Sequence, residues 1–300
     1  MPSSSNDRSG SASGLERRTL LGLSLGAAIG AIAAAAPAAA ATAKGAARWT
    51  STFLEFDPVE NFRQAMRIQR SLEDQADILH WYHFIMVAVP VGRAPVPVVR
   101  WEGIELSRHV RIGEHRYRMH GHNLSFPRDL DSGRFIDAVP NPLTGEQVKV
   151  PPMALVSDPG YVASPEGSLS LDAPPGSGPR PKYAQLRRES GLVKVDSMRV
   201  PPASWPVTFL EMGYEASPAE LFDDPRQLWL PSEVSGAYVF PWPEWLRMGD
   251  RPGHMFAAWS GHKLRSVEQL PEEFTARARQ EFPQLLQVDA RAFERPLPGQ

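Results

Sequence analysis

"VPVVRWEGIELSRHVRIGEHRYRMHGHNLSF", residues 96–126, is the stretch that decides the fold class of this chain. It contains two runs rich in β-branched and aromatic residues, with Gly113-Glu114 between them. Such runs on either side of a short glycine-containing turn predict two strands joined by a tight hairpin. A third run of the same kind, residues 78–90, precedes them and ends at a proline. Antiparallel pairing is therefore expected in this part of the chain.

The same pattern continues through most of the remaining sequence. Turn motifs at residues 131–133 and 141–145 separate further short runs, and turns spaced about 8 to 12 residues apart are typical of an antiparallel meander. The 30 prolines and 23 glycines exclude a mostly helical bundle. Helices are predicted only at the two ends, over residues 58–71 behind Asp57-Pro58 and again from Pro271 onwards.

The predicted fold is mainly β. It is a single antiparallel β-barrel or a strongly curved meander sheet of about nine to twelve strands, with flanking N- and C-terminal helices. Closing the sheet into a barrel would remove its edges. The domain is expected over residues 53–290, with a Pro-, Gly- and Ser-rich loop at 164–183 and a tail at 291–300.

The N-terminus predicts export. Arg17 and Arg18 precede a mildly hydrophobic run from Leu20 to Ala36, a pattern typical of a twin-arginine signal peptide. Small residues up to Ala43 predict cleavage there, so residues 1–43 form the signal peptide and 44–52 a tether. The expected localisation is periplasmic or secreted, with the twin-arginine export machinery as a partner and no stable membrane span after cleavage. An uncleaved anchor is the alternative, because the run is about long enough to span a bilayer if tilted.

Composition narrows the function classes. The formal net charge is −2, so the chain has no basic excess for nucleic acid. It contains no cysteine, which excludes disulfides, a thiol nucleophile and iron–sulfur clusters. Nucleotide-binding, dinucleotide-binding, zinc-protease and serine-hydrolase motifs are missing from the sequence as well. We expect no cofactor.

Three stretches resemble the domain-of-unknown-function 1838 family, many of whose members carry twin-arginine signals. They are "VRWEGIELSRH" (99–109), "YRMHGHNLSFPRDLDSGRFIDAVPNPLTGEQVKV" (117–150) and "FPWPEWLRMGDRPGHMFAAWSGHKLRSVEQLP" (240–271). The order of segments resembles the family from about residue 53 to 287. The resemblance implies an exported β domain, and it implies no particular reaction.

Polar side chains alternate along one predicted strand. Arg116, Arg118, His120 and His122 share a face, because residues two apart on a strand point the same way. Three interpretations stay open: a metal site, a polar pocket, or a solvent-facing strand, which the usual alternation of core and water favours. The two arginines on that face oppose a cation, so no metal is expected.

Other residues are candidates for a pocket or for packing. Trp242, Trp245, Arg247 and Met248 can form an apolar wall with a polar anchor, or they can plug one end of the barrel, which we favour because large aromatic residues usually seal cores. His83, among aromatic and branched residues, is expected to be a core histidine.

Two functions fit these residues, and a purely structural role is a third interpretation. The first is a periplasmic β-barrel that binds a small, partly apolar molecule. The second is a cofactor-independent isomerase, lyase or hydrolase, with His120 or His122 as general base and Arg108 or Arg118 stabilising negative charge. If this face lines a pocket, replacing His122 by alanine should abolish function and leave stability nearly unchanged.

Export through the twin-arginine pathway is testable on the precursor. Replacing both Arg17 and Arg18 by lysine should leave full-length precursor in the cytoplasm, because that pathway reads the arginine pair. Immunoblotting of cell fractions follows the processing, and N-terminal sequencing of the mature wild type should begin at Lys44. Normal processing of the double variant would indicate the general secretion route.

Overall fold

Antiparallel pairing extends through the whole domain. The computed structural model describes residues 50–172, 183–199 and 210–294. Its strands are β1 (Ser51–Phe53), β2 (Asp77–Pro90), β3 (Val96–Gly113), β4 (Arg116–Arg128), β5 (Ala138–Pro140), β6 (Gln147–Lys149), β7 (Met153–Ser164), β8 (Gly167–Ser170), β9 (Tyr183–Glu189), β10 (Leu192–Arg199), β11 (Leu210–Pro218), β12 (Glu233–Phe240) and β13 (Gly253–Leu264). Its helices are α1 (Pro58–Gln69), α2 (Ala219–Phe222) and α3 (Glu272–Glu281), with 3-10 turns at Glu244–Leu246, Val267–Gln269, Pro283–Leu286 and Ala290–Phe293.

Eleven of these strands form one sheet in the order β1-β9-β10-β11-β12-β13-β2-β3-β4-β7-β8, and β5 and β6 form a separate hairpin. Among the described residues the sheet is open, with β1 at one edge and β8 at the other. The curved meander prediction is therefore confirmed, and the closed barrel is wrong. The edge strands have only three and four residues, and very short edge strands limit edge-to-edge pairing without closure.

Helix α1 shows how strongly the sheet curves. Its Ala65 and Ile68 pack in one cluster with residues of β9 and β10, whereas Met66 packs with Tyr117 and Met119 of β4. Five strands lie between β10 and β4 in the sheet. One helix can contact both regions only if the sheet curls around it. We call the surface that α1 covers the α1 face, and the opposite surface the α3 face.

Helix α1 is fixed at both of its ends. The Asp57 side chain accepts a hydrogen bond from the Glu60 backbone N–H at 2.9 Å, and Pro58 occupies the first turn, as predicted. At the other end, the buried Lys263 Nζ of β13 donates to the backbone oxygens of Arg67, Ile68 and Arg70 at 3.0, 2.6 and 2.8 Å. A lysine thus satisfies carbonyls that the helix itself leaves without partners.

Helix α3 covers only part of the opposite surface. Phe274 and Ala278 of this helix are fully buried against β2, β3 and β4. Leu285 and Val288, which follow the helix, extend the same cluster. We call residues 282–294 the C-terminal segment. The α3 face of β10–β13 receives no such cover from the described residues.

The predicted loop at 164–183 is only partly a loop. Residues Gly167–Ser170 form β8, which pairs with the end of β7. Pro165 and Glu166 form the turn, and Gly167 directly after it has a φ of 130°, which glycine adopts without strain. Residues 173–182 lie outside the described residues. So do the predicted signal peptide, all of the tether but residues 50–52, and residues 295–300 of the tail.

A polar cluster lies between α1 and the sheet. Arg70 forms an ion pair with Glu105 at 2.6 Å, and its guanidinium lies 3.4 Å from His80 Nδ1. Burial, followed by the positive charge of Arg70, lowers the pKa of His80 to about 3. Burial likewise lowers the pKa of His109, which is 0% exposed, well below its ordinary value. Both imidazoles are therefore neutral at neutral pH.

These two histidines predict acid-sensitive stability. Below a pH of about 6.5 they are protonated in the unfolded chain and still neutral in the folded one, so protons favour unfolding. The free energy of unfolding should fall as the pH drops from about 7 to about 5, by up to about 1.4 kcal/mol per pH unit for each histidine. Urea titrations across this range measure the slope.

The variant His80→Gln separates this effect from general acid lability. It removes one titrating histidine, so its stability should fall less steeply with acid than that of the wild type, whatever its stability at neutral pH. Equal slopes for the two proteins would contradict the assignment to His80.

Candidate functional site

The predicted histidine face is buried beneath the C-terminal segment. Arg118, His120 and His122 are only 4%, 5% and 5% exposed. The Arg118 guanidinium donates to the backbone oxygens of Ala292 and Phe293 at 2.7 and 3.2 Å. The solvent-facing interpretation is therefore wrong, because a segment far along the chain covers this strand.

The two histidines contact the same segment. His122 Nε2 lies 2.5 Å from the Leu285 backbone oxygen, to which it donates, and the His120 ring meets Phe293 edge-on at 6.1 Å. Burial lowers the pKa of His122, and its hydrogen bond to Leu285 partly opposes this. The imidazoles are thus engaged in holding the C-terminal segment. A catalytic role for them stays a prediction.

Arg108 lies next to His120 across the β3–β4 pair. Its guanidinium makes two hydrogen bonds to the Asp77 carboxylate, at 2.6 and 2.8 Å, and these bonds raise the pKa of Arg108. The structure therefore brings Arg108, Arg118, His120 and His122 onto one face. The Arg108 guanidinium is nevertheless directed to Asp77, on the neighbouring strand.

Residues 242–248, the segment that contains Trp242 and Trp245, cover one end of the α1 face. Leu246 and Met248 are 0% and 1% exposed, and Trp242 and Trp245 pack against the same cluster. Arg247 lies outside it, in an ion pair with Glu146 at 2.8 Å. This packing agrees with the plug interpretation. Ligand contacts by these four predicted residues stay a prediction.

A groove lies on the uncovered half of the α3 face. We call it the α3-face groove, and its volume is about 550 Å³. Six strands, β2 and β9–β13, supply its walls. The lining residues are Trp81, His83, Arg187, Leu192, Lys194, Tyr214, Glu215, Ala216, Glu233, Val234, Ser235, Ser260, Gly261 and His262. Nine of these carry polar or charged side chains other than tryptophan, and polar and apolar atoms contribute about equally to the surface of the groove.

Strand register explains why these side chains meet. Tyr214 pairs with Ser235, Ser235 with Ser260, and Ser260 with His83, so this row crosses four neighbouring strands. Antiparallel partners directly opposite one another point to the same face. A second row runs beside it, from Lys194 through Glu233 and His262 to Trp81.

Trp81 is the fixed wall of the groove. Its indole N–H donates to Glu102 Oε1 at 3.0 Å, and Glu102 is buried in an ion pair with Arg128. The Trp81 ring meets the His83 ring edge-on at 4.6 Å and stacks with the His262 ring at 6.3 Å. One indole therefore orients both imidazoles of the groove.

The cations of the groove have carboxylate partners. Lys194 Nζ lies 2.7 Å from Glu189 Oε1, and Arg187 pairs with both Glu189 and Asp196. Burial lowers the pKa of His83, and the nearby Glu102 carboxylate opposes this. At neutral pH the His83 imidazole is thus neutral and can exchange hydrogen bonds.

The sequence interpretation missed this groove. His83 was expected in the core, but it is half-buried in the groove wall. A signal was present in two other strands, where Glu233 and Ser235 alternate along β12 and Ser260 and His262 along β13. Alternate polar positions on two neighbouring strands indicate a shared face without a covering helix.

The described residues contain no group of three or more His, Cys, Asp or Glu side chains placed to hold a metal ion. Among the helices that the structure describes, none has the length and apolar character needed to cross a membrane.

Comparison with known proteins identifies a family for part of the chain. Residues 213–296 match the family described as "Protein of unknown function (DUF1838)". This confirms the family that the sequence resembles, over a region that includes β12, β13 and most of β11. No curated protein and no solved structure matches the chain.

The burial of His122 predicts a stability effect. Replacing His122 by alanine removes the hydrogen bond to Leu285 and leaves a buried carbonyl without its donor, so the free energy of unfolding should fall by about 1 to 3 kcal/mol. This differs from the sequence expectation of nearly unchanged stability.

The matched control is Arg116→Ala, on the same strand but exposed. Its free energy of unfolding should stay within about 0.5 kcal/mol of the wild-type value. Chemical denaturation measures both variants. Equal stability of His122→Ala and wild type would show that the C-terminal segment does not depend on this contact.

Proposed function

We propose that the chain is an exported protein that binds a small, partly apolar molecule in the α3-face groove. The observation that carries the proposal is the groove itself, whose volume of about 550 Å³ lies within the range of small-molecule sites, about 300 to 1,000 Å³. The sheet that lines it is open rather than a closed barrel, so a ligand would enter from the uncovered face.

Apolar surface beside the polar rows supports a partly apolar ligand. Tyr214 is 45% exposed, and Met198 and Met212, paired across β10 and β11, are each 37% exposed. Ala237 and Ala258 continue the row that Met198 and Met212 begin. A molecule lying here would cover these side chains while its polar groups meet the serines and histidines.

The export part of the proposal draws on the sequence of residues 1–43. The arginine pair and the small-residue run that ends at Ala43 support passage through the twin-arginine machinery into the periplasm or beyond. A globular binding domain without cysteine fits either location.

A cofactor-independent enzyme is the second candidate, and His83 favours it. Its lowered pKa keeps the imidazole neutral, which is the form that accepts a proton as a general base. The His262 ring, stacked on the same indole, lies beside it in the groove. Mass spectrometry of any bound compound would distinguish the two candidates, because a binding protein returns the compound unchanged.

A blocked-groove variant tests where binding occurs. Ser235 is exposed in the middle of the groove, so Ser235→Trp should fill it without disturbing the core. Compounds that raise the Tm of the wild type in a broad thermal-shift screen should lose this effect on the variant, because ligands stabilise only the folded state that binds them.

Lys149→Trp is the control, since it places the same side chain at an exposed position on the separate β5–β6 hairpin. It should keep the wild-type response to every compound. If compounds stabilise Ser235→Trp as strongly as the wild type, their binding site lies outside the groove.

A further inference from the structure

We infer that the ligand of the α3-face groove is an elongated, uncharged polyhydroxy molecule of the class of short linear oligosaccharides. This inference rests on the proposed function and specifies its ligand. Three features of the groove carry it: aromatic rings on two separate strands, β11 and β2, short hydroxyl side chains between them, and cations that are already paired with carboxylates.

The aromatic rings are far apart. Tyr214 lies on β11 and Trp81 on β2, with β12 and β13 between these strands. Three inter-strand steps of about 4.8 Å place them about 14 Å apart across the sheet. One compact aromatic molecule cannot contact both rings. A chain of three sugar rings can, with the C–H face of a terminal ring on each aromatic side chain.

The space between the two aromatic residues is suited to hydroxyl groups. Ser235 and Ser260 are directly paired and exposed there, and Glu233 and His262 are paired beside them. Each of these side chains can accept a hydrogen bond, and the serines can also donate one. A polyhydroxy ligand would satisfy them, whereas a wholly apolar ligand would cover them without compensation.

The charges disfavour an anionic ligand. Arg187 and Lys194 are engaged with the carboxylates of Glu189 and Asp196, so an anion would have to compete for them. Of the lining carboxylates, Glu215 accepts a hydrogen bond from Gln69 of α1 on the opposite face, whereas Glu233 is exposed in the groove and can accept hydrogen bonds from ligand hydroxyl groups. A groove whose cations are already paired gives an anion no strong preference.

Isothermal titration with neutral sugars tests the inference. The probes are maltotriose, cellotriose and xylotriose, with glucose and xylose as single rings. At least one trisaccharide should bind saturably, about tenfold more tightly than its own monosaccharide, because it reaches both aromatic residues. Tyr214→Ala should weaken that binding about tenfold, whereas Tyr214→Phe, which keeps the ring, should retain it.

Trp81 is not replaced in this test, because its indole also contacts the buried Glu102. Two other variants are used in its place. Ser260→Ala should weaken trisaccharide binding severalfold, because it removes a hydroxyl from the middle of the groove. Phe56→Ala removes an exposed aromatic ring that does not line the groove, and it should bind like the wild type.

The outcomes separate the inference from the proposed function. If no trisaccharide binds, while apolar aromatic compounds such as 1-naphthol stabilise the wild type and not Ser235→Trp, the ligand class is wrong and the groove remains a binding site. Trisaccharide binding that survives both Tyr214→Ala and Ser260→Ala would also overturn the inference. If neither class of compound binds, the proposed function fails with it.

Discussion

The contact between Lys263 and the end of helix α1 is the interaction on which the architecture depends. Its ammonium group, 3% exposed, donates to three backbone oxygens at the carboxyl end of the helix. Burying a lysine is unfavourable unless its charge finds such acceptors, and buried carbonyls at a helix end require donors. Because Lys263 lies on β13, near the middle of the sheet, it holds α1 where strands from both halves can curl around it. Loss of this contact would remove a donor from all three carbonyls, of which those of Arg67 and Ile68 keep a second donor, from the Leu230 N–H and the Ser232 hydroxyl.

The position of α1 determines what the other face can do. With one face closed over α1, the chain after β13 is the part available to cover the opposite surface. Helix α3 and the C-terminal segment cover β2, β3 and β4, where Leu79, Ile104 and Phe126 form the core beneath them. Among the described residues nothing comparable lies over β10–β13. The groove is therefore the uncovered remainder of a sheet that is wider than its helical cover.

Trp81 lies at the boundary between the covered and the uncovered half. It packs against the core under α3, and it also forms the wall of the groove. Its hydrogen bond to the buried Glu102 fixes the indole, and the ion pair with Arg128 satisfies the charge of Glu102. A rigid aromatic ring supported from below loses little conformational freedom when a ligand packs on it. The groove thus has one preorganised wall, joined directly to the hydrophobic core.

Local sequence patterns determined the strands, their turns and the start of α1, because each depends on residues close together in the chain. The Asp57 cap is one example, and the predicted hairpin is another, although its turn lies at Glu114-His115, one residue beyond the predicted Gly113-Glu114. Alternation along β12 and β13 also indicated the polar face of the groove. Only the tertiary structure decided which faces are covered. His122 and Leu285 are 163 residues apart, and Arg118 and Phe293 are 175 apart. Alternation shows that side chains share a face, but it does not show what packs upon that face. For this reason a strand rich in arginine and histidine became part of the interior, and the half-buried His83 became part of a groove.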